Sequence, residues 1–426
     1  MLSHLFLFVL AVSAVTATPV QLIIDTDLGF DVDDAGAVAV GNHLQDIGAC
    51  DLLGIVHNTG FYYGIGGVDV IDHYYGRTNL TLGAYTGQWG SSSQAQQNQN
   101  KYTSRIEKDY PSPIQNYDQV YSAVDAYTKM LEAAADNSVV IASIGELGNL
   151  RDIIKANKAL FIQKVTKIYY MDGGYNFGCG DSQGTGWSPY MGSTNDCYGS
   201  AQYVVENVPK SIKQVFTLNG GDILTGGRFN GNDGCGQGPV KEAYQIYTNY
   251  GSRPSWDLIC VYLAVMGDTS LYSNLVAGTN NVNYYGSENF DKSNTGNNQY
   301  QVWIDSKHNG DVTRIIDNLI CAAPCLNKAM EVGGCASYTL NSMKNCYTGH
   351  GAVDMEHPEG SSAGTMSLSD CETLCDQTSG CSGVAVSNNA ATTVKGYINC
   401  YRRSNINLND CGGNFAFDTY TKNNHN

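Results

Sequence analysis

Five aspartates fall within ten positions of the segment QLIIDTDLGFDVDDAGAVAV (residues 21–40): Asp25, Asp27, Asp31, Asp33 and Asp34. They follow a strongly apolar run, so folding draws negative charge to the end of a buried strand. That costs stability unless something offsets it. Three chemistries use such a cluster. A calcium loop of the EF-hand type counted from Asp31 places Gly36 correctly at its sixth position. Its twelfth position is Asn42, not the bidentate Glu, which excludes it. An aspartyl-phosphate nucleophile suits Asp25-x-Asp27 after a strand but leaves Asp33 and Asp34 unexplained, and stays as a lesser alternative. A divalent-cation site that also binds a polyol uses the whole cluster, because a hard cation takes six to eight oxygens from carboxylates, carbonyls and water. Asp27 at a strand end and Asp34 at a helix start reach one ion from two directions. Read only as N-terminal helix carboxylates favoured by the macrodipole, Asp33 and Asp34 account for part of the cluster.

Such a cluster needs a scaffold, and the flanking pattern supplies one. Apolar runs at Leu22–Ile24, 52–57, 138–143, 165–171 and 213–218 predict strands. Helical spacing predicts helices over Asp34–Leu44, 67–76, Tyr121–Ala135, Leu147–Asn157 and 200–208. Alternation of continuously apolar strands with helices implies an α/β fold, a Rossmann-like mostly parallel sheet with helices on both faces. Ligands of such sheets bind beyond the carboxyl ends of the strands, where the aspartates fall. The polar stretches 88–105 and 278–300 read as surface loops, and the Gly-rich 173–199 as a loop able to cover a substrate.

Length and composition bound the rest. A chain of 426 residues has room for two domains, and 42% hydrophobic with 15% charged residues describes a globular protein. The net charge of −16 disfavours nucleic acid and anionic membranes as partners. Residues 1–17 read as a secretory signal peptide, and no later run is long enough to span a membrane. Fourteen cysteines suit an oxidising compartment, and Asn79-Leu80-Thr81 is a glycosylation sequon. Nine of those cysteines lie in the last 106 residues. The stretch 321–345 reads as a linker. Beyond it, six cysteines in 346–426 predict three disulfides and a small α+β domain stapled by them. None of the eight histidines has metal or triad spacing.

The segment DTDLGFDVDDAGAVAV resembles the amino-terminal signature of the nucleoside hydrolases (inosine–uridine-preferring and related N-ribohydrolases), in a variant with two extra residues before the Asp-Asp pair. VVIASIGELGNL, IYYMDGG and SWDLICVYLAV resemble further motifs of that family, in the same order, over residues 18–320. The resemblance implies a Ca²⁺ ion held by Asp27, Asp34, Asp257 and the backbone carbonyl of Ile144. It implies Asp27 as general base for water attacking the anomeric carbon, and Asp33, Asn195 and Asn58 as sugar-binding residues. This chain also departs from the family pattern. Trp256 stands where many members carry a His that assists the leaving group, Ser193 replaces a Glu, and Gly148 replaces a Thr. Trp256 is either a base-stacking residue or packing. The carboxy-terminal stretch CETLCDQTSGCSGVAVS…INCYRRSN resembles PAN/apple domains, which bind proteins or carbohydrates. The expectation is a secreted, Ca²⁺-dependent hydrolase cleaving the N-glycosidic bond of ribonucleosides. The alternative is a non-catalytic nucleoside- or sugar-binding protein that keeps the cation site.

Overall fold

The computed structural model describes residues 19–87, 102–171, 199–218, 220–231, 235, 238–322, 324, 338–341, 344–366, 371–372, 374–375, 377–387, 398–413 and 417–422. The signal segment 1–17, the loops 88–101 and 172–198, and most of 323–337 lie outside the described residues.

In chain order the first elements are β1 (Val20–Thr26), α1 (Asp33–Asp46), β2 (Cys50–His57), α2 (Gly64–Tyr74), β3 (Thr81–Ala84), α3 (Thr103–Asp109), β4 (Tyr121–Ser122), α4 (Ala123–Ala133) and β5 (Val139–Ser143). They continue with α5 (Gly148–Lys164), β6 (Val165–Met171), α6 (Ser200–Asn207), β7 (Lys213–Leu218), β8 (Leu224–Thr225), α7 (Pro239–Thr248), β9 (Arg253–Pro254) and α8 (Trp256–Met266). β10 (Ser273–Val282), β11 (Glu288–Asp291), β12 (Gln299–Ile304) and α9 (Asn309–Cys321) follow. Ten strands form one sheet in the order β11-β10-β12-β7-β6-β5-β1-β2-β3-β4. From β12 to β4 every pairing is parallel, and β10 and β11 add an antiparallel edge.

The order reverses around β1. Successive strands β2, β3 and β4 build out on one side, and β5, β6 and β7 on the other. A crevice opens at the carboxyl end of such a strand because the connections leave it in opposite directions. The alternating side chains of β1 feed two cores. Leu22 and Ile24 join the layer of α1, α8 and α9 residues, and Ile23 joins the layer of α4, α5 and α6 residues.

Helices α1 and α8 have no wet face. Nearly all of α1 (DDAGAVAVGNHLQD) is buried, as is nearly all of α8 (WDLICVYLAVM). Small residues let them touch. A Cβ on Gly36 would lie 2.5 Å from the Tyr244 hydroxyl and 2.8 Å from Leu258 Cδ2. This close approach brings the two helix starts, and their acids, to the same end of the sheet.

The stretch 278–300, expected as a loop, instead supplies most of the antiparallel edge. Its strands carry Asn, Thr and Gln where an apolar alternation would have marked them. Those side chains are hydrogen-bonded within the edge: the Asn280 backbone N–H donates to Gln299 Oε1 at 2.7 Å, and Asn280 Nδ2 donates to Glu288 at 2.7 Å. Thr103–Asp109 is helical although its first residues were read as loop, and α5 runs beyond Asn157 to Lys164 across a break at Asn157.

The carboxy-terminal residues form a seven-stranded sheet held by Cys346–Cys411, Cys371–Cys400 and Cys375–Cys381. Helical backbone carries Cys371 and Cys375. Its first strand, Tyr338–Asn341, pairs with its last, Phe417–Lys422, so the sheet begins inside the stretch read as a linker. Cys321, also read as linker, ends α9 and bonds Cys235. No helix among the described residues is long and apolar enough to cross a membrane.

Candidate active site

β1 ends at Thr26, and the chain turns sharply through Asp27-Leu28-Gly29 into α1. Gly29 has φ +121°, and a Cβ there would lie 2.5 Å from the Phe61 ring, so the turn requires glycine. Tyr102 Oη donates to the carbonyl of Asp31 at 2.6 Å, pinning the longer loop that precedes α1. Asp33 and Asp34 occupy the first turn of α1, and Asp257 the first turn of α8. Neither helix start carries a side-chain cap. The free N–H groups and aligned dipoles of two helices therefore face the acids, which is where carboxylates are best tolerated.

The three regions meet. Oxygens of Asp31, Asp33 and Asp257 lie within 4.8 Å of one another, the kind of grouping that holds a metal ion. Asp27 and Asp34 lie close enough for each to act on the charge of the other. Asp257 feels the charges of Asp33, Asp34, Asp31 and Asp27 together. The grouping within metal-holding distance is thus Asp31, Asp33 and Asp257, and of the expected ligands Asp27, Asp34 and Asp257 only Asp257 belongs to it.

Crowding has an electrostatic signature. Burial raises the carboxyl of Asp27 well above its ordinary range, and the charges of Asp31 and Glu146 raise it further. Asp34 is raised by burial and then by Asp27 and Asp31. Asp257 is raised by burial and then by Asp33 and Asp34. Asp33 is raised by burial and by Asp31, while Arg253 pulls it down. Burial and mutual repulsion thus disfavour the charged forms of these acids, and a cation among them would favour those forms.

Thr26 Oγ1 donates to Asp34 Oδ1 at 2.5 Å and accepts the Leu28 N–H at 3.2 Å. Asp34 Oδ2 is buried without a partner, and so is Asp257 Oδ1. Buried carboxylate oxygens are rarely left so. Two of them in one all-oxygen cluster fit a hard divalent cation.

Sequence reasoning missed Arg253, on the short β9. Its Nη2 donates to Asp31 Oδ2 at 2.5 Å and its Nε to Asp33 Oδ1 at 3.2 Å. The guanidinium carbon sits 5.5 Å from the Tyr247 ring and 5.0 Å from the Trp256 ring. The available signal was indirect: a dense acidic cluster implies a partner of opposite charge. Nothing in GSRPSWD marks which basic residue supplies it.

The other expected residues fall as follows. Ile144 is buried just past β5, its N–H donating to the Asp25 carbonyl at 2.8 Å, beside the end of β1. Trp256 is half-buried at the start of α8, with Arg253 over its ring. Asn58 is buried, and its Nδ2 donates to Asp25 Oδ1 at 2.7 Å while its Oδ1 has no partner. Asn195 and Ser193 lie outside the described residues. Asp25 belongs to a different network. It is fully buried, and Tyr127 and Asn149 donate to its Oδ2 at 2.7 and 3.1 Å. Burial raises its carboxyl to about 7 against the pull of those three donors. With Oδ1 held by Asn58 after β2 and Oδ2 by Tyr127 of α4 and Asn149 of α5, Asp25 is not presented as a nucleophile.

The sequence matches no family model and no curated protein. Solved structures share its architecture. A purine-preferring ribonucleoside hydrolase from Gardnerella vaginalis superposes with a TM-score of 0.52 at 14% identity, covering 70% of this chain and 99% of that one. An inosine–uridine-preferring nucleoside hydrolase from Bacillus anthracis gives 0.51 at 11% identity, covering 70% and 98%. The chain has the nucleoside hydrolase fold. A type III effector protein complexed with adenosine diphosphate ribose shares it too, with a TM-score of 0.53 at 13% identity, covering 73% of this chain and 96% of that one. At these identities the likeness is one of fold, and the chemistry must be argued from the site.

Proposed function

We propose that this protein hydrolyses the N-glycosidic bond of ribonucleosides, giving ribose and the free base. The observation that supports the reading is the acidic cluster beyond the carboxyl end of β1, with oxygens of Asp31, Asp33 and Asp257 within 4.8 Å of one another and buried unpartnered oxygens on Asp34 and Asp257. By resemblance to the family, Asp27, Asp34 and Asp257, with the Ile144 carbonyl, would hold a hard divalent cation, Ca²⁺. When bound, such an ion lowers the pKa of water and orients a diol. Asp27, half-buried at the strand end, accepts the proton of the attacking water as general base. Asp33 accepts a ribose hydroxyl, with Asn58 and Asn195 as further sugar contacts. The remaining carboxylates favour the positive charge that develops on the sugar as the bond to the base breaks.

Trp256 has no proton to give at neutral pH, so the departing base takes its proton from solvent. Substrates with good leaving groups are therefore favoured over poor ones. The chain is proposed to be secreted, with 1–17 as signal peptide, 18–320 as the catalytic domain, and the cysteine-rich residues 346–426, together with the strand Tyr338–Asn341 that pairs with their last strand, as a PAN/apple-like module binding carbohydrate or protein. The disulfides and the exposed sequon residue Asn79 are consistent with that compartment.

The test is release of free base from a nucleoside panel, with p-nitrophenyl riboside included, in the presence and absence of chelator. Turnover that chelator abolishes and Ca²⁺ restores is expected, with the nitrophenyl substrate fastest. Ca²⁺-dependent nucleoside binding without turnover of any substrate would select the non-catalytic alternative.

A further inference from the structure

We propose that Arg253 is a positioning residue for Asp33. Clamped between Tyr247 and Trp256 and anchored on Asp31, it fixes Asp33 as an acceptor for a ligand hydroxyl and confines the divalent cation to the Asp34–Asp257 side of the cluster. This deepens the reading of the same site given above and rests on it.

Two cation sets compete, one given by distances and one by the family resemblance. Asp31, Asp33 and Asp257 have oxygens within 4.8 Å of one another. Asp27, Asp34 and Asp257 form the other set, the one that the resemblance implies. Arg253 decides between them. Its fork does not grip one carboxylate bidentately but bridges two, Nη2 on Asp31 and Nε on Asp33. Both members that distinguish the first set are thus already paired with a fixed positive charge. A divalent ion placed there would sit beside a guanidinium, with little water between them to screen the repulsion. The second set has no such competitor. Asp34 Oδ2 and Asp257 Oδ1 are buried and unpartnered.

The guanidinium is not free to leave. Rings of Tyr247 and Trp256 lie 5.5 and 5.0 Å from its central carbon, close enough for cation–π attraction to each. Its anchor is fixed as well, since Tyr102 Oη holds the Asp31 carbonyl at 2.6 Å. Asp33 is 1% exposed, and with Nε bound to its Oδ1 the carboxylate has one orientation. Its second oxygen then serves a donor that is not a metal, as a sugar hydroxyl is. Asp31 lies in the loop made longer by two residues relative to the family signature, so fork and longer loop belong together.

Three variants of the full chain test this: Arg253→Gln, Arg253→Lys and Asp31→Asn. Steady-state kinetics give KM and kcat on the best nucleoside, and calorimetry gives Ca²⁺ affinity. Arg253→Gln is expected to raise KM about tenfold or more with a smaller change in kcat, because an unoriented Asp33 binds the sugar poorly. It is expected to bind Ca²⁺ about tenfold more tightly, because a fixed positive charge has gone. Arg253→Lys keeps the charge but cannot bridge, so its Ca²⁺ affinity stays near that of wild type while its KM stays high. Asp31→Asn, a milder change that guards against misfolding of the Arg253 variants, is expected to raise KM in the same direction.

An unchanged KM in Arg253→Gln, or Ca²⁺ binding weakened by that change, overturns the proposal. Wild type that releases no base from any nucleoside refutes the hydrolase reading alone. Ribose and nucleoside affinities measured by calorimetry then replace KM, and equal affinity in wild type and Arg253→Gln overturns the Arg253 role.

Discussion

Thr26 Oγ1 donates to Asp34 Oδ1 at 2.5 Å while accepting the Leu28 N–H at 3.2 Å, so one hydroxyl ties the end of β1, the turn and the first turn of α1 together. The bond leaves the other oxygen of Asp34 facing the cluster without a partner. Replacing Thr26 by Val removes both contacts inside a fully buried site. We expect a loss of about 1–3 kcal/mol of stability in denaturant unfolding. We also expect a 10–100-fold loss of Ca²⁺ affinity, the usual effect of removing a group that orients a ligand. Thr26→Ser keeps the hydroxyl and should stay close to wild type on both measurements. A Val variant with unchanged Ca²⁺ affinity would show that Asp34 needs no such support.

Asp27 and Asp257 have separable parts in the proposed reaction. Asp257→Asn removes a carboxylate charge from the cation set and should abolish the rise in Tm that saturating Ca²⁺ gives wild type. Ligand binding to the folded state alone produces such a rise, about 2.7 kcal/mol at a hundred times Kd. Asp27→Asn keeps an oxygen in place but cannot take up a proton. Its Ca²⁺-induced Tm rise should survive in part, while kcat falls roughly 10²–10⁴-fold, the typical worth of a general base. Equal loss of kcat and of the thermal response in both variants would make Asp27 a ligand only.

Helix α1 reaches α8 through Gly36. A Cβ at residue 36 would meet the Tyr244 hydroxyl at 2.5 Å and Leu258 Cδ2 at 2.8 Å, and both side chains are fully buried. Gly36→Ala should cost about 1–3 kcal/mol, as overpacking does. It should also weaken Ca²⁺ binding by parting Asp34 from Asp257. Gly148→Ala is the control, since nothing lies within 4 Å of a Cβ there. Its stability should stay within about 0.5 kcal/mol of wild type.

Local patterning carried the fold. β1, β2, β5, β6 and β7 are continuously apolar, so their presence and burial were legible, and DTDLGFDVDD marked where the crevice would form. The short β3 and β4 were not legible, helical spacing already running from Tyr121. The edge strands β10–β12 were not legible, because their buried faces are built from Asn, Thr and Gln bonded to one another. The site was half legible. Asp27, Asp34 and Asp257 were named from motifs, but the roles of Thr26, Asp31 and Arg253 depend on contacts across long sequence separations. Asp31 and Arg253 are 222 residues apart, and no periodicity connects them. Asn58 and Asn149 were visible as polar residues near strand ends. That they converge on Asp25, with Tyr127 from α4, follows only from β2 and β5 lying on either side of β1.

Asp72 gives a pH dependence away from the cation site. It lies on α2, fully buried, with Oδ1 accepting from Asn42 Nδ2 at 2.7 Å and Oδ2 unpartnered. Burial pushes its carboxyl from 3.8 up to about 8, with Asn42 and Arg77 pulling down and Asp69 pushing up. The folded value exceeds the unfolded one, so between about pH 4 and 8 the folded chain holds a proton that the unfolded chain has lost. Stability from this group is therefore fully present below pH 4, falls as pH rises, and is gone above pH 8. The slope approaches 1.4 kcal/mol per pH unit for one proton, so the total is on the order of several kcal/mol. Asp72→Asn imitates the neutral acid, and the buried, unpartnered Asn42 Oδ1 offers its amide an acceptor. Denaturant unfolding across pH 5–9 in chelator should show wild type losing stability relative to the variant as pH rises. A difference that is flat, or that grows in favour of wild type at high pH, would mean that Asp72 is buried as a carboxylate and not as an acid.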